Sequence, residues 1–172
     1  MKIKIEKEVK AKSGLLIFPI FKEFLKKSPY PKFATDFVAK RAPEFKAKKY
    51  DLLHTYLDQK ALPAKMSIIG CGEGKKLSAN IARRLGAKIG KEARSCRCED
   101  ATIFLAKEMA DYVQELLEGI LLVQYRVGKM KTTEDKRKYL KNINFIGNKP
   151  KTSTQQSKKP KSSLNQSPSS KI

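Results

Sequence analysis

Histidine and cysteine are scarce in this 172-residue chain, which has one His and three Cys. Three cysteines, at 71, 96 and 98, are an odd number without the spacing of a disulfide framework. No amino-terminal stretch joins a basic segment, an apolar core and a small-residue cleavage site. The longest apolar run, "GLLIFPIF" at 14–21, is far short of the roughly 20 residues that span a bilayer. These absences set the expectation of a cytoplasmic, reducing environment with no membrane partner. Acidic residues are also sparse: 17 Asp and Glu stand against 38 Lys and Arg, for a formal charge of +21. Such a surface attracts polyanions, although a solvated basic face explains most charge runs.

Hydrophobic residues make up 40% of the chain, enough for a core in one domain. "MKIKIEKEV" alternates Ile3 and Ile5 with lysines, the period of a half-exposed strand. "GLLIFPIF" is apolar throughout, as in a strand covered on both faces, with Pro19 interrupting its pairing. "DLLHTYL" (51–57), "KMSIIG" (65–70), "DATIFL" (100–105) and "YLKNINFI" (139–146) read as four further strands. A short helix is expected from Thr35, stopped by Pro43. A second helix, capped by Ser78, carries Leu77, Ile81, Leu85 and Ile89 at four-residue intervals. A third, from near Ala106, aligns Met109, Val113, Leu116, Leu117, Ile120 and Leu121. Strands alternating with helices predict an α/β fold: a mixed, mostly parallel sheet of about six strands with helices on both faces. The domain is placed at 1–147. Residues 148–172, rich in serine and lysine, cannot bury enough apolar area to offset ordering entropy and are expected to be disordered.

Candidate sites are few. "GCGEG" (70–74) lies between a strand and a helix, where backbone N–H groups can meet an anion. It lacks the Gly-x-Gly-x-x-Gly spacing, and a tight turn explains its glycines more economically. "SCRC" (95–98) offers two thiolates, but a closed zinc site needs four ligands and only Cys71 and His54 remain. His54 sits mid-strand, where a half-buried, hydrogen-bonded imidazole is the simpler account. Lys75, Lys76, Arg83, Arg84, Lys88 and Lys91 gather positive charge along the second helix and its approach, the candidate contacts to an anion or nucleic acid. No aromatic residues interleave with them to stack bases. No set of side chains forms a catalytic or metal site by spacing alone.

The order of "MSIIGCGEGKKLSANIARRLGAKIGKEARS", "ATIFL" and "LLEGILLVQYRVGKMKT" resembles the amino-terminal domain of the leucyl (cytosol) aminopeptidase metallopeptidase family. The features carrying it are Gly70 and Gly72, Leu77-Ser78 opening a helix through Arg84 and Ala93, Glu118-Gly119, Leu121-Leu122, Tyr125 and the basic exit Lys129 to Lys131. The likeness spans roughly residues 1 to 147 and is clearest over 66–132; Val127 and Met130 stand where the family usually has aromatics. Gly119 implies close approach of a neighbouring element, and Tyr125 is expected to bury its ring at the domain edge. The resemblance implies a macro-domain-like fold whose chemistry lies elsewhere. In the family, two divalent metals, zinc or manganese, act in a separate catalytic domain, and its Asn-Thr-Asp-Ala-Glu-Gly-Arg hallmark occurs nowhere in this chain. It follows that no functional residue carries over, that the chain is inactive alone, and that it is truncated or split from a catalytic partner. The family's hexamer is the expected assembly, and DNA binding by some bacterial relatives keeps a stand-alone nucleic-acid-binding or interaction module as the alternative.

Overall fold

The structure, a computed structural model, describes residues 1–6, 14–26, 28–41, 43–57, 65–125 and 139–147. The tail expected to be disordered, 148–172, and the basic exit beyond Tyr125 lie outside these residues.

Within the described residues six strands form one sheet: β1 (Lys2–Glu6), β2 (Leu15–Phe21), β3 (Leu52–Tyr56), β4 (Lys65–Gly72), β5 (Asp100–Leu105) and β6 (Asn142–Gly147). Their order is β1-β6-β5-β2-β4-β3. All neighbours are parallel except β3, which runs antiparallel along β4 as an edge strand. The expected mixed, mostly parallel α/β sheet is therefore present. Every residue of β2 is buried, matching its unbroken apolar text. Pro19 interrupts pairing on one side only. The ladder to β5 ends at Ile17, whereas that to β4 continues through Pro19 to a bulge between Ile20 and Phe21. Proline has no N–H to give a second neighbour.

Among the described residues three α-helices cover the sheet: α1 (Lys32–Lys40), α2 (Ala79–Ser95) and α3 (Val113–Gln124). α1 begins at Lys32, not Thr35, because Pro31 already holds the helix-compatible φ of −54° at the N-cap. It ends before Pro43, as expected. On that face Phe18 of β2 meets Phe33 at 5.9 Å, Tyr30 at 5.4 Å and Phe104 at 4.3 Å between ring centroids. Such aromatic pairs add about 0.5–1.5 kcal/mol beyond their area. The buried Tyr30 hydroxyl donates to the carbonyl of Pro19, so the ring's polar end is satisfied. Burial pushes its pKa well above the usual tyrosine range.

α2 and α3 lie together on the opposite face. Ser78 caps α2, its Oγ accepting from the N–H of Ile81 at 3.4 Å. Leu85 and Ile89 of the apolar stripe are wholly buried. The third helix starts later than its periodicity implies: Lys107–Tyr112 is a 3₁₀ segment and the α-helix begins at Val113. Its stripe also divides, with Leu116 and Ile120 buried while Leu121 is 48% exposed. Tyr125 corrects expectation more sharply. The helix ends at Gln124, Tyr125 takes extended backbone, and its ring stands 75% exposed.

The two helices meet backbone to backbone. A Cβ on Gly119 would lie 1.9 Å from the carbonyl oxygen of Arg83, and one on Gly86 would lie 2.0 Å from that of Leu116. No L side chain fits either gap. Gly119→Ala is expected to lower stability by about 3 kcal/mol, as overpacking forces the helices apart. Gly90→Ala, whose Cβ would meet Ile120 at 3.3 Å, should cost markedly less. Denaturant midpoints of the two variants test this difference.

Candidate functional site

At the end of the sheet beside β3, a chain of neighbours built from three elements lines an open cavity of about 530 Å³. The antiparallel ladder sets its first pair, since His54 and Ser67 are direct partners across β3 and β4. Directly opposite residues point to the same face, here the one covered by α2. There Glu92, in the last turn of α2, is buried to 7% exposure. Ser67 donates its hydroxyl to Glu92 Oε1 at 2.7 Å, and His54 Nδ1 lies 3.0 Å from both oxygens. Cys96, the C-cap of α2 and one turn beyond Glu92, places Sγ 3.4 Å from the same carboxylate oxygen and 3.7 Å from Nδ1.

The geometry of Cys96 comes from how α2 stops. The N–H of Cys98 bonds the carbonyl of Ala93 at 3.0 Å and that of Arg97 bonds Arg94 at 3.0 Å. This is the Schellman arrangement, with Arg97 at φ +53° in the position usually given to glycine. The left-handed residue reverses the chain between the two cysteines. Cys96 Sγ turns to the cavity, whereas Cys98 Sγ turns inward to the carbonyl of Gly14 at 3.4 Å. The Cys-x-Cys text therefore does not act as one chelating pair, and Cys71 is buried in β4. The three cysteines form no disulfide. Burial, then the Glu92 charge, pushes the Cys96 thiol up to about 12, so it is a thiol donor toward Glu92. Lys65 Nζ bonds the Cys96 carbonyl at the helix end, a favourable place for a cation.

Among the described residues, His54, Glu92 and Cys96 are the group of three potential metal ligands, all their ligand atoms lying within 4.8 Å of one another. Sequence spacing links Glu92 to Cys96 only as a helical i, i+4 pair. Nothing in the text joins either to His54, because the strand pairing that does so connects residues far apart in the chain.

The glycine loop is arranged as a turn. Gly70 abuts the carbonyl of Lys48, where a Cβ would lie at 2.1 Å, and Gly72 has φ +76°. The N–H of Gly74, the group best placed to meet an anion, already donates to both oxygens of Glu23 at 3.0 and 3.2 Å. Glu73 is bridged to Lys76 at 2.7 Å and to Lys22 at 3.3 Å, which holds its carboxyl below the usual range.

The six basic candidates do not form one patch. Arg83 gives Nε and Nη2 to Glu118 at 2.9 and 2.8 Å across the helix crossing, lowering the Glu118 pKa. Lys76 is engaged with Glu73. Lys75, Arg84 and Lys91 are exposed and Lys88 is half-buried; Arg84, Lys88 and Lys91 follow one face of α2.

Residues 38–134 match the model of the cytosol aminopeptidase family, N-terminal domain. The chain belongs to this family. The fold of this aminopeptidase-type domain is similar to that in a solved mutant of tomato leucine aminopeptidase, with a TM-score of 0.65 and 13% identity, over 86% of this chain and 32% of that one. It is also similar to the bottromycin maturation enzyme BotP, at a TM-score of 0.57 and 13% identity over 78% of this chain and 27% of that one. In its complex with Mn, BotP gives a TM-score of 0.56 at the same identity and coverage. The chain thus spans between about a quarter and a third of the length of these enzymes. No curated protein matches the sequence.

Two opposite effects are expected at the end of α2. Arg97→Gly should raise stability by about 1 kcal/mol, because glycine removes the left-handed backbone cost. Ser67→Ala should lower it by about 1–3 kcal/mol by withdrawing a hydrogen bond from a buried carboxylate. Thermal and denaturant melts of the two variants check the signs.

Proposed function

We propose that the chain works as the non-catalytic amino-terminal part of a leucyl aminopeptidase-type metallopeptidase, docked to a catalytic domain that releases amino-terminal residues from peptides. The observation that carries this reading is the exposed apolar end of α3. Leu121, Leu122 and Tyr125, all within five residues at the carboxyl end of α3, are 48%, 67% and 75% exposed. Large apolar side chains grouped at a surface mark a place where another protein packs. The fold adds support, since the related enzymes carry this body as between about a quarter and a third of a longer chain. Assembly in the family's hexameric form, in a reducing cytoplasm, belongs to the same proposal. Three cysteines without a disulfide fit that setting.

Hydrolysis by a pair of divalent metals is assigned to the catalytic partner. The donors gathered here are one imidazole, one carboxylate and one thiol. They do not fit two metals held by several carboxylates and a lysine, and no hydrolytic step is derived through them.

The test uses the purified chain, with manganese and an aminoacyl chromogenic substrate, alone and together with a catalytic domain from the same genome carrying Asn-Thr-Asp-Ala-Glu-Gly-Arg. The expected outcome is no turnover alone and co-purification with turnover in the mixture. Leu122→Asp with Tyr125→Ser should weaken the association by about tenfold or more, the effect of removing interface anchors. Robust turnover by the chain alone overturns the proposal.

A second reading, a nucleic-acid-binding module, rests on the Arg84, Lys88 and Lys91 face of α2. If those three side chains meet phosphates, the logarithm of affinity for duplex DNA should fall with the logarithm of salt with a slope of about −3. Replacing all three with glutamate should abolish the slope. Salt-independent or absent binding removes this reading.

A further inference from the structure

We propose that His54, Glu92 and Cys96 form a binding site for one zinc-class divalent cation, clasping the edge strand β3 to the carboxyl end of α2. The geometry is that of a tetrahedral face. Zinc bonds of about 2.0–2.3 Å to N, O and S at tetrahedral angles put ligand atoms about 3.3–3.6 Å apart. The three separations here are 3.0 Å from Nδ1 to Oε1, 3.4 Å from Sγ to Oε1 and 3.7 Å from Sγ to Nδ1. Little movement is needed to seat an ion among them.

Proton counting favours the same conclusion. Oε1 of Glu92 faces Ser67 Oγ, His54 Nδ1 and Cys96 Sγ together. Without an ion, the His54 ring nitrogen, the Ser67 hydroxyl and the Cys96 thiol gather on a buried carboxylate at the negative end of a helix, an unfavourable place for an anion. A dication in the centre reverses that. It takes the Nδ1 lone pair, the carboxylate and a thiolate whose proton leaves to solvent, giving a neutral ensemble. The imidazole then carries its hydrogen on Nε2, and Ser67 remains hydrogen-bonded to the ligating carboxylate as its outer support. Lys65 and Arg97, which also line the cavity, oppose the ion's charge but favour the thiolate that binds it. A mixed N/O/S set suits zinc over magnesium or calcium, which take oxygen ligands. Three protein ligands leave a fourth position, and it opens on the cavity rather than into the core.

The site makes no use of a catalytic partner, so it is tested on the full chain alone. After chelator treatment, the protein is titrated with Zn²⁺ against a chromophoric competitor and with Co²⁺ in the optical spectrum. The expected result is a single equivalent, a sulfur-to-cobalt charge-transfer band and the d–d bands of four-coordinate cobalt. Cys96→Ser should abolish the charge-transfer band, and His54→Ala and Glu92→Gln should remove the competitive binding. Ser67→Ala should weaken it by about tenfold. Cys71→Ser and Cys98→Ser should change nothing. Since the chain has a single histidine, ¹⁵N spectra should show Zn²⁺ on its Nδ1 without ambiguity. Zn²⁺ should also raise the melting temperature of the parent but not of Cys96→Ser. Circular dichroism of His54→Ala, an exposed strand position, separates lost binding from lost fold. Failure to compete for Zn²⁺, or a cobalt band that survives Cys96→Ser, overturns the proposal.

Discussion

Two carbonyl oxygens seated on two bare Cα atoms govern the architecture. At the crossing of α2 and α3, Gly86 faces the backbone of Leu116 and Gly119 faces the backbone of Arg83. With no side chains between them the helices behave as one slab, and Arg83 and Glu118 tie its exposed rim. The slab's position over the sheet decides where the end of α2 lies. Glu92 reaches Ser67, and Cys96 reaches His54, only because that end is held down over the junction of β3 and β4. The aromatic layer on the other face, centred on Phe18, has no part in the cluster and leaves α2 free to be positioned by α3.

Most of the fold can be read along the chain because strand and helix periods are local. The unbroken apolar text of β2 and the four-residue stripe of α2 each report a face that the structure buries, whereas the alternation of β1 does not, since Lys2, Ile3, Lys4 and Ile5 are all exposed. Register and order across the sheet are not local, and the antiparallel edge position of β3 has no signature in "DLLHTYL". Boundaries drift where a neighbour overrides periodicity. α1 starts early because Pro31 precedes it, and α3 starts late behind a 3₁₀ turn. Tyr125 illustrates a subtler failure: expected to bury its ring at the domain edge, it lies one residue past the end of the helix with that ring exposed.

The site was far less readable. Three of its four side chains come from separate elements, and the fourth is related to Glu92 only by a helical turn. Cysteine spacing pointed toward Cys98, yet one left-handed residue, Arg97, sends the two thiols in opposite directions. The glycine loop is the turn that the text favoured. Its anion-seeking N–H is present as the text implies, but Glu23, some fifty positions earlier, already fills it.

The open flank of β1 has a colloidal consequence. Among the described residues β1 pairs with β6 on one side and with no other strand, and Ile3 and Ile5 on it are 45% and 49% exposed. Such a flank invites a second copy to add a strand, and Lys2 and Lys4 interrupt its apolar text at every other position. Mutual repulsion between chains carrying +21 each reinforces that guard over a distance set by the ionic atmosphere. Dilute electrolyte therefore keeps copies apart, while concentrated electrolyte lets these edge strands come within reach of one another.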